Sequence, residues 1–455
     1  MKRTDDMLFV VDSQHANEQD AHSLDDDLFA LDDEPTATNG SETAVEPSDA
    51  EKLARARECL SVGSPLFIVQ RSHQHSTVIP GALSYIRQEH PEGLNLGVSV
   101  PLPRTRPAGV STFFKNTQMA PVQIADPECF ARHDSYGPIL MEQRDGQPYV
   151  GPSTSKFWDF FTAELPSGWT HEWVARVIRV QRDVGATVLL TPGIWMDASD
   201  RMNSLRLMRE SVTWARTEVQ PHENLAVNIT ISHAWLSTPI LRDALLAELL
   251  DMDEEIFYIR VRWPLLSQPY GQLVSADILD GYVELSDVCA ENDKFLILPN
   301  TGMTGWVSLA WGASGFSTGI GSGERAFADT KVIKIKRTGP RPAPTNRTFR
   351  SGLLHVVDVT TDERLSALPG QRSCACDFCR SQPPGSWDKA QAGAHYLSAV
   401  AGLTADAALH GRGARAGTRA LVRDAQSLYS SATNLVPLTG ANDPKHLDLW
   451  LSKLR

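Results

Sequence analysis

The chain has 455 residues, and 42% of them are hydrophobic, which is enough apolar material for a large core. Its net charge of −12 is local, because residues 1–50 hold 14 acidic residues against only Lys2 and Arg3. Subtracting these from the totals of 55 acidic and 43 basic residues leaves 41 of each. A neutral body still allows a local basic surface for nucleic acid. The sequence lacks a signal-peptide pattern and any run of about 18 apolar residues, which favours a cytoplasmic protein without membrane association.

The N-terminal segment, residues 1–50, is acidic, poor in hydrophobic residues and rich in Ser, Thr, Asn and Gly. Such a segment cannot bury enough apolar surface to fold, so we predict a disordered acidic tail. Its acidic and apolar stretch at 24–31 is a candidate docking peptide; a purely solubilising tail is the alternative.

Residues 51–118 predict a helix at 50–60 and a short strand near 66–70, as an N-terminal extension that packs on the next domain. From residue 119 to about 365, strand-like apolar runs alternate with helix-like segments. The runs, which extend to about residue 330, are 121–125, 186–192, 225–232, 256–263, 294–299 and 315–321; a further strand is predicted at 353–359, after a loop. This alternation is typical of βα units around a parallel sheet. Without an early Gly-rich dinucleotide fingerprint, a TIM-type (β/α)8 barrel at 119–365 is favoured over an open doubly wound sheet.

Residues 366–455 are predicted to form a helical zinc-binding subdomain, after a basic, Pro-rich loop at 332–352. Four arginines at helical spacing share one predicted helix face: Arg412, Arg415, Arg419 and Arg423. That face is either a phosphate-contacting surface or a solvated one.

Three of the six cysteines fall within six residues, as Cys374, Cys376 and Cys379. Their clustering does not resemble a secreted disulfide framework and is more typical of metal ligands. Zinc takes about four ligands in a tetrahedron, and thiolates suit it. His395 and His410 are both candidates for the fourth position. A closed set of three Cys and one His predicts a structural zinc site and not a catalytic one.

The CxCxxC motif, followed by a helix and a His at the end of an α/β barrel, resembles the tRNA-guanine transglycosylase family. The segments WVARVIRVQRDVGATVLLTP, LILPNTGMTGWVSLAWGASGF and AHYLSAVAG (394–402) resemble further parts of that family. The resemblance implies a zinc-containing barrel that exchanges guanine in tRNA or DNA for a 7-deazaguanine base. It also implies His410, rather than His395, as the fourth zinc ligand.

The family uses two aspartates for catalysis, one as nucleophile and one as acid/base. The resemblance places Asp126 in the acid/base position at the end of the first barrel strand, and Asp197 close to a base-recognising aspartate. His233 falls at a Gln-Gly turn of the family. Ser317 falls where the family has its nucleophile, and a serine cannot readily replace that carboxylate. Asp197 is therefore a candidate second catalytic residue, and the candidate substrate-binding residues are His233, Ser317 and Glu324, the last of which follows the glycines at 319–323.

Three functional hypotheses follow. The first is a pentosyltransferase that uses Asp126 with a second carboxylate. The second is a non-catalytic subunit that binds nucleic acid and pairs with a catalytic paralogue or with a second copy. The third is an unrelated zinc-stabilised barrel enzyme with a small-molecule substrate. Structural roles also remain open: Asp126 as a turn residue, Asp197 as a helix cap, and His233 as a packed histidine.

Overall fold

The computed structural model describes residues 47–61, 64–71, 77–90, 94–132, 158, 170–264, 271–329, 347–369, 374, 376–382, 387–409 and 414–455. The predicted tail therefore lies almost wholly outside the described residues. The strands are β1 Leu66–Gln70, β2 Asn95–Pro101, β3 Val122–Asp126, β4 Leu189–Leu190, β5 Ile194–Met196, β6 Leu225–Ser232, β7 Ile256–Arg262, β8 Phe295–Leu298, β9 Gly315–Thr318, β10 Arg347–Arg350 and β11 His355–Asp358.

The helices are α1 Asp49–Ser61, α2 Val78–Glu89, α3 Pro107–Asn116, α4 His171–Asp183, α5 Arg201–Glu218, α6 Ala234–Ser237, α7 Pro239–Asp251, α8 Ala276–Glu291, α9 Gly302–Leu309, α10 Ser322–Arg325, α11 Val359–Ser366, α12 Asp377–Ser381, α13 Lys389–Leu409, α14 Arg415–Ala432 and α15 His446–Lys453. None of these helices, nor any other within the described ranges, combines the length and apolar character that a membrane crossing requires.

Strands β1 to β9 form one parallel sheet in the described part of the chain. The order is β3–β2–β1–β9–β8–β7–β6–β4, and β5 also pairs with β6. The two ends of this order meet, because Thr187 N donates to Gln123 O at 2.9 Å and Ile124 forms a parallel bridge with Val188. The sheet is therefore curled on itself, and its topology is compatible with a TIM-type fold. The apolar runs predicted from residue 121 onward contain β3, β4, β6, β7, β8 and β9.

The sheet begins earlier than the boundary predicted at residue 119. Strands β1 and β2 lie within 51–118, and β1 pairs in parallel with both β2 and β9. This segment is thus part of the sheet and not an extension packed outside it. The run NLGVSVP alternates apolar residues with the small residues Gly97 and Ser99 and is buried on both faces between its ends, so its strand signal was weak. As a consequence, Asp126 ends the third strand of the sheet and not the first.

Side chains inside the curled sheet change from apolar to polar along the strands. The lower interior is an apolar cluster that includes Leu66, Val122, Ala226 and Phe295. Because side chains alternate along a strand, residues two and four positions after Ala226 face the same interior. Those positions are Asn228 and Thr230, and both are buried. The polar interior therefore lies at the carboxyl ends of the strands, where barrel proteins place their functional groups.

The C-terminal part packs against the side of the sheet. Helix α13 contacts α2, α9 and the antiparallel pair formed by β10 and β11. Strand β10 lies inside the predicted loop at 332–352, so the loop prediction was wrong there. On the predicted arginine face, Arg415 pairs with Asp287 of α8 at 2.7 Å, while Arg423 is exposed and Arg412 lies outside the described residues.

A buried histidine pair predicts acid sensitivity of the C-terminal part. The rings of His355 and His446 lie 5.4 Å apart, and burial lowers the pKa of His355 to about 4 and that of His446 well below its ordinary 6.5. Below pH 6.5 these histidines become protonated in the unfolded chain but stay neutral in the folded chain. The free energy of unfolding is therefore greatest above that pH and decreases as the pH falls towards 4. We expect His355 alone to lower the free energy of unfolding by about 3 kcal/mol over this pH range.

This expectation is checked by urea unfolding of His355→Gln between pH 6.5 and pH 4.5. The variant should lose less unfolding free energy than the wild type over this range. His171→Gln, which changes a half-exposed histidine on α4, should retain the wild-type slope. Equal slopes for all three proteins would contradict the assignment.

Candidate metal centre and barrel mouth

The three clustered cysteines are brought together with His395 by two helices. Cys376 and Cys379 are buried at the start of α12, and His395 is buried in α13, while Cys374 is partly exposed. The three sulfurs and one imidazole nitrogen all lie within 4.8 Å of one another. Nδ1 of His395 is 3.5 Å from Sγ of Cys376 and 3.3 Å from Sγ of Cys379. These four residues can hold a metal ion.

The donor set and spacing suit zinc. Zinc–sulfur and zinc–nitrogen bonds of about 2.3 and 2.0 Å place N and S about 3.5 Å apart across a tetrahedral edge. The separations of 3.5 and 3.3 Å in the cluster lie close to that value. Nε2 of His395 is 2.9 Å from the carbonyl oxygen of Phe349. A neutral ring that donates from Nε2 directs its Nδ1 lone pair at the sulfurs, and such a backbone contact orients metal-binding histidines generally.

The fourth ligand implied by the family resemblance was His410, but the cluster contains His395. His410 lies outside the described residues. The position of His395 follows from helix geometry, because α13 begins only ten residues after Cys379 and carries His395 in its second turn. Aromatic rings of Phe378 and Trp387 pack around His395.

A second site lies inside the sheet at the carboxyl ends of the strands, which we call the barrel mouth. Asp126 is fully buried there and forms an ion pair with Arg260, which is 1% exposed. The backbone N–H of Glu128 donates to Oδ1 of Asp126 at 3.0 Å, and the Tyr258 hydroxyl donates to Oδ2 at 3.3 Å. Burial raises the pKa of Tyr258, so this hydroxyl keeps its proton. Both carboxylate oxygens of Asp126 are therefore engaged.

Arg260 is held from several sides. Its Nε donates to Oδ1 of Asn300 at 3.1 Å, and its second terminal nitrogen donates to Asp126. Burial alone would lower the pKa of Arg260, but the charge of Asp126 outweighs burial and raises it. The pair is therefore a permanently charged cation with its counterion, and it contributes no net charge to the barrel mouth.

Several buried polar atoms beside this pair make no hydrogen bond within the described structure. They are Nη1 of Arg260, Oγ1 of Thr230, and both Oδ1 and Nδ2 of Asn228. Thr230 and Arg260 are register partners on β6 and β7, and so are Asn228 and Tyr258. Unsatisfied buried polar groups are rare in native proteins because each costs about 1–3 kcal/mol. Their grouping on two adjacent strands marks a place where a ligand or water would supply the missing partners.

Aromatic rings cover this group. The guanidinium of Arg260 lies 4.9 Å from the ring centre of Phe130 and 5.7 Å from that of Phe327. Phe130, Trp195 and Phe327 form a small apolar cluster of their own. Rings of Phe130 and Phe327 therefore pack on the guanidinium of Arg260.

The other predicted site residues take different positions. Asp197 follows β5 and accepts hydrogen bonds from Ser199 N and Oγ at 2.9 and 2.8 Å; it forms a local turn, while Asp200 occupies the cap position of α5. His233 follows β6 at the start of α6 and is partly buried. Neither has a contact with Asp126 among those identified in the described structure.

Ser317 and Glu324 lie near the last strand of the sheet. Ser317 is fully buried in β9, donates to Oε1 of Gln70 at 3.3 Å and accepts from Asn300 N at 2.8 Å. Glu324 lies on α10, where its side chain packs against Gly319 and Gly321. The hydroxyl of Ser317 is thus a bridge between β1 and the turn after β8, at the position where the family resemblance called for a nucleophile.

Arg260 and Tyr258 were missed as site residues. A signal was present in the sequence IFYIRVRW, because Tyr258, Arg260 and Arg262 alternate with apolar residues and therefore share one face. The alternation does not say which face is interior, and only the contacts with Asp126 decide it.

No family model, curated protein or solved structure matches this chain.

Proposed function

We propose that the chain is a transglycosylase-like barrel that binds a guanine-type base of tRNA or DNA at the barrel mouth, without the standard base exchange. The observation that supports it most is the set of unpartnered atoms of Asn228, Thr230 and Arg260. A carboxamide offers an acceptor and a donor side by side, and a guanidinium adds donors. This combination complements the lactam edge of a purine.

The charge balance also favours a neutral ligand. Asp126 already neutralises Arg260, so an anionic ligand would be left without a counterion in a buried setting. Burying an unpaired charge costs far more than burying a hydrogen-bonded neutral group. A neutral planar base meets this condition, and it can replace Phe130 or Phe327 on the face of the guanidinium by cation–π stacking.

The state of the expected catalytic groups favours binding over exchange. Both oxygens of Asp126 are already engaged by Arg260, the Tyr258 hydroxyl and the N–H of Glu128. Ser317 stands in place of the nucleophilic carboxylate and its hydroxyl is used by Gln70 and Asn300. A chain of this kind would act with a catalytic paralogue or as a pair of copies, with a structural zinc ion held by the Cys3His cluster.

Two measurements on the full chain test this function. Equilibrium dialysis with radiolabelled guanine should show binding that Asn228→Leu reduces at least tenfold, with uracil as the control base. Incubation of tRNA or duplex DNA with the same guanine should incorporate no label. Incorporation that Asp126→Asn abolishes would establish the pentosyltransferase hypothesis instead. Absence of guanine binding would remove the base-binding proposal.

Thr230→Val gives a further prediction at this site. The buried hydroxyl of Thr230 makes no hydrogen bond, and valine keeps the shape of threonine without that hydroxyl. We therefore expect the free energy of unfolding to rise by about 1 kcal/mol. Guanine binding should weaken. Thr304→Val is the matched control, because its equally buried hydroxyl contacts Gly271 O and Leu273 N and its loss should destabilise the fold. Urea unfolding of the two variants gives the change in the free energy of unfolding for each. A Thr230→Val protein less stable than wild type would show that the hydroxyl has a partner.

A further inference from the structure

The metal cluster and the barrel mouth are joined by one side chain. Tyr396 directly follows the ligand His395 on α13, and its hydroxyl lies 2.7 Å from Oγ1 of Thr318, the last residue of β9. Both residues are buried, at 1% and 0% exposure. The hydrogen bond therefore connects the helix that carries a metal ligand to the end of a barrel strand.

The same tyrosine also contacts the segment after β9, residues 319–325, which we call the mouth segment. The guanidinium carbon of Arg325 lies 3.8 Å from the ring centre of Tyr396, and its Nε donates to Gly319 O at 3.0 Å. A hydrogen bond to the strand end and a cation–π contact to the mouth segment thus converge on one ring.

Close packing reinforces this connection. A Cβ atom on Gly393 of α13 would lie 2.5 Å from Cγ2 of Ile320, so the helix and the mouth segment touch without room for a side chain. On the opposite side, Cβ atoms on Gly271 or Gly302 would lie 2.7 or 2.8 Å from the carbonyl oxygen of Arg325. The mouth segment is therefore held between α13 and the turn that begins α9.

We propose that Tyr396 is a positioning residue through which metal binding at the Cys3His cluster fixes the mouth segment. A metal ion orders His395 and the start of α13, and this order fixes the ring of Tyr396 against Thr318 and Arg325. Without the metal, the helix start shifts and the two contacts to the mouth segment weaken. The proposal does not depend on which ligand the barrel mouth binds.

Coupling between two sites is reciprocal, so a change at Thr318 must alter metal affinity. Thr318→Val removes the hydroxyl but keeps the shape and lies on a strand, away from the metal ligands. We expect it to weaken zinc binding about three- to tenfold, which corresponds to one lost buried hydrogen bond. Tyr396→Phe, which keeps the ring over Arg325, should show a loss of the same size. Competition of the purified full chain with a chromogenic zinc chelator measures the affinities.

Tyr429→Phe is the control, because it removes a tyrosine hydroxyl contact to Asp443, in the C-terminal part and away from the mouth segment. It should leave zinc affinity unchanged. Hydrogen exchange of peptides covering 315–327 adds a second readout: exchange should quicken when zinc is removed from wild type, and should already be quick in zinc-loaded Thr318→Val. Wild-type zinc affinity in Thr318→Val would overturn the proposal, whether or not guanine binds.

Discussion

Cys376→Ser should release the metal and destabilise the protein by several kcal/mol. Zinc bound by four protein ligands contributes its binding free energy to folding, and this amounts to about 10–16 kcal/mol in small zinc-finger peptides. A larger fold keeps its other contacts when the metal is lost, so it should lose only part of that free energy. Phe378, Trp387 and α13 pack around the cluster, so loss of one thiolate also loosens the contact between α13 and α2.

The measurement is zinc content by native mass spectrometry, together with the midpoint of thermal unfolding. Cys289→Ser is the matched control, since Cys289 is a buried cysteine of α8 outside the cluster. It should keep its zinc and lose only packing energy. His395→Ala should behave like Cys376→Ser, whereas His410→Ala should keep its zinc. A zinc loss in His410→Ala with retention in His395→Ala would reverse the assignment of the fourth ligand.

Arg260→Met should have the second large effect, a loss of about 3–5 kcal/mol in the free energy of unfolding. Removing one partner of a buried ion pair leaves the other charge without compensation, and that cost exceeds the net value of the pair itself. Here the remaining charge would be the carboxylate of Asp126, which is fully buried. The Tyr258 hydroxyl and the Glu128 N–H would still bind it, so the loss should not exceed this range.

A double variant separates the charge effect from the loss of packing. Asp126→Asn combined with Arg260→Met removes both charges and should recover part of the stability that Arg260→Met loses. Urea unfolding of the two single variants and the double variant gives the coupling between the two residues. A double variant whose loss equals the sum of the single losses would contradict the ion pair. Arg206→Met is a surface control, because its pair with Glu210 is exposed and should contribute little.

The local sequence was sufficient for the elements with a strong pattern. The runs from residue 121 onward contain strands of the sheet, and the helix predicted at 50–60 is α1. The cysteine triad was also evident, because three thiols in six residues have few uses other than metal binding. Strands β2, β5 and β10 were missed, since β2 is buried on both faces, β5 has only three residues and β10 is four residues long in a basic, Pro-rich stretch.

The choice of the fourth ligand depended on the tertiary structure. Two candidate histidines, His395 and His410, follow the cysteines, and spacing alone did not separate them. The packing of α12 against α13, together with the carbonyl of Phe349 from β10, directs His395 at the sulfurs. These groups come from three segments of the chain, so no local pattern describes their arrangement.

The sequence by itself determined the alternation of strands and helices and the presence of a thiolate cluster, because both depend on residues that are close along the chain. Only the tertiary structure decided that β1 and β2 belong to the sheet and that Asp126 meets Arg260, which lies 134 positions later. The physical reason is that a parallel sheet brings distant strand ends to one place. A charge inside that sheet is stable only beside a partner that the fold supplies.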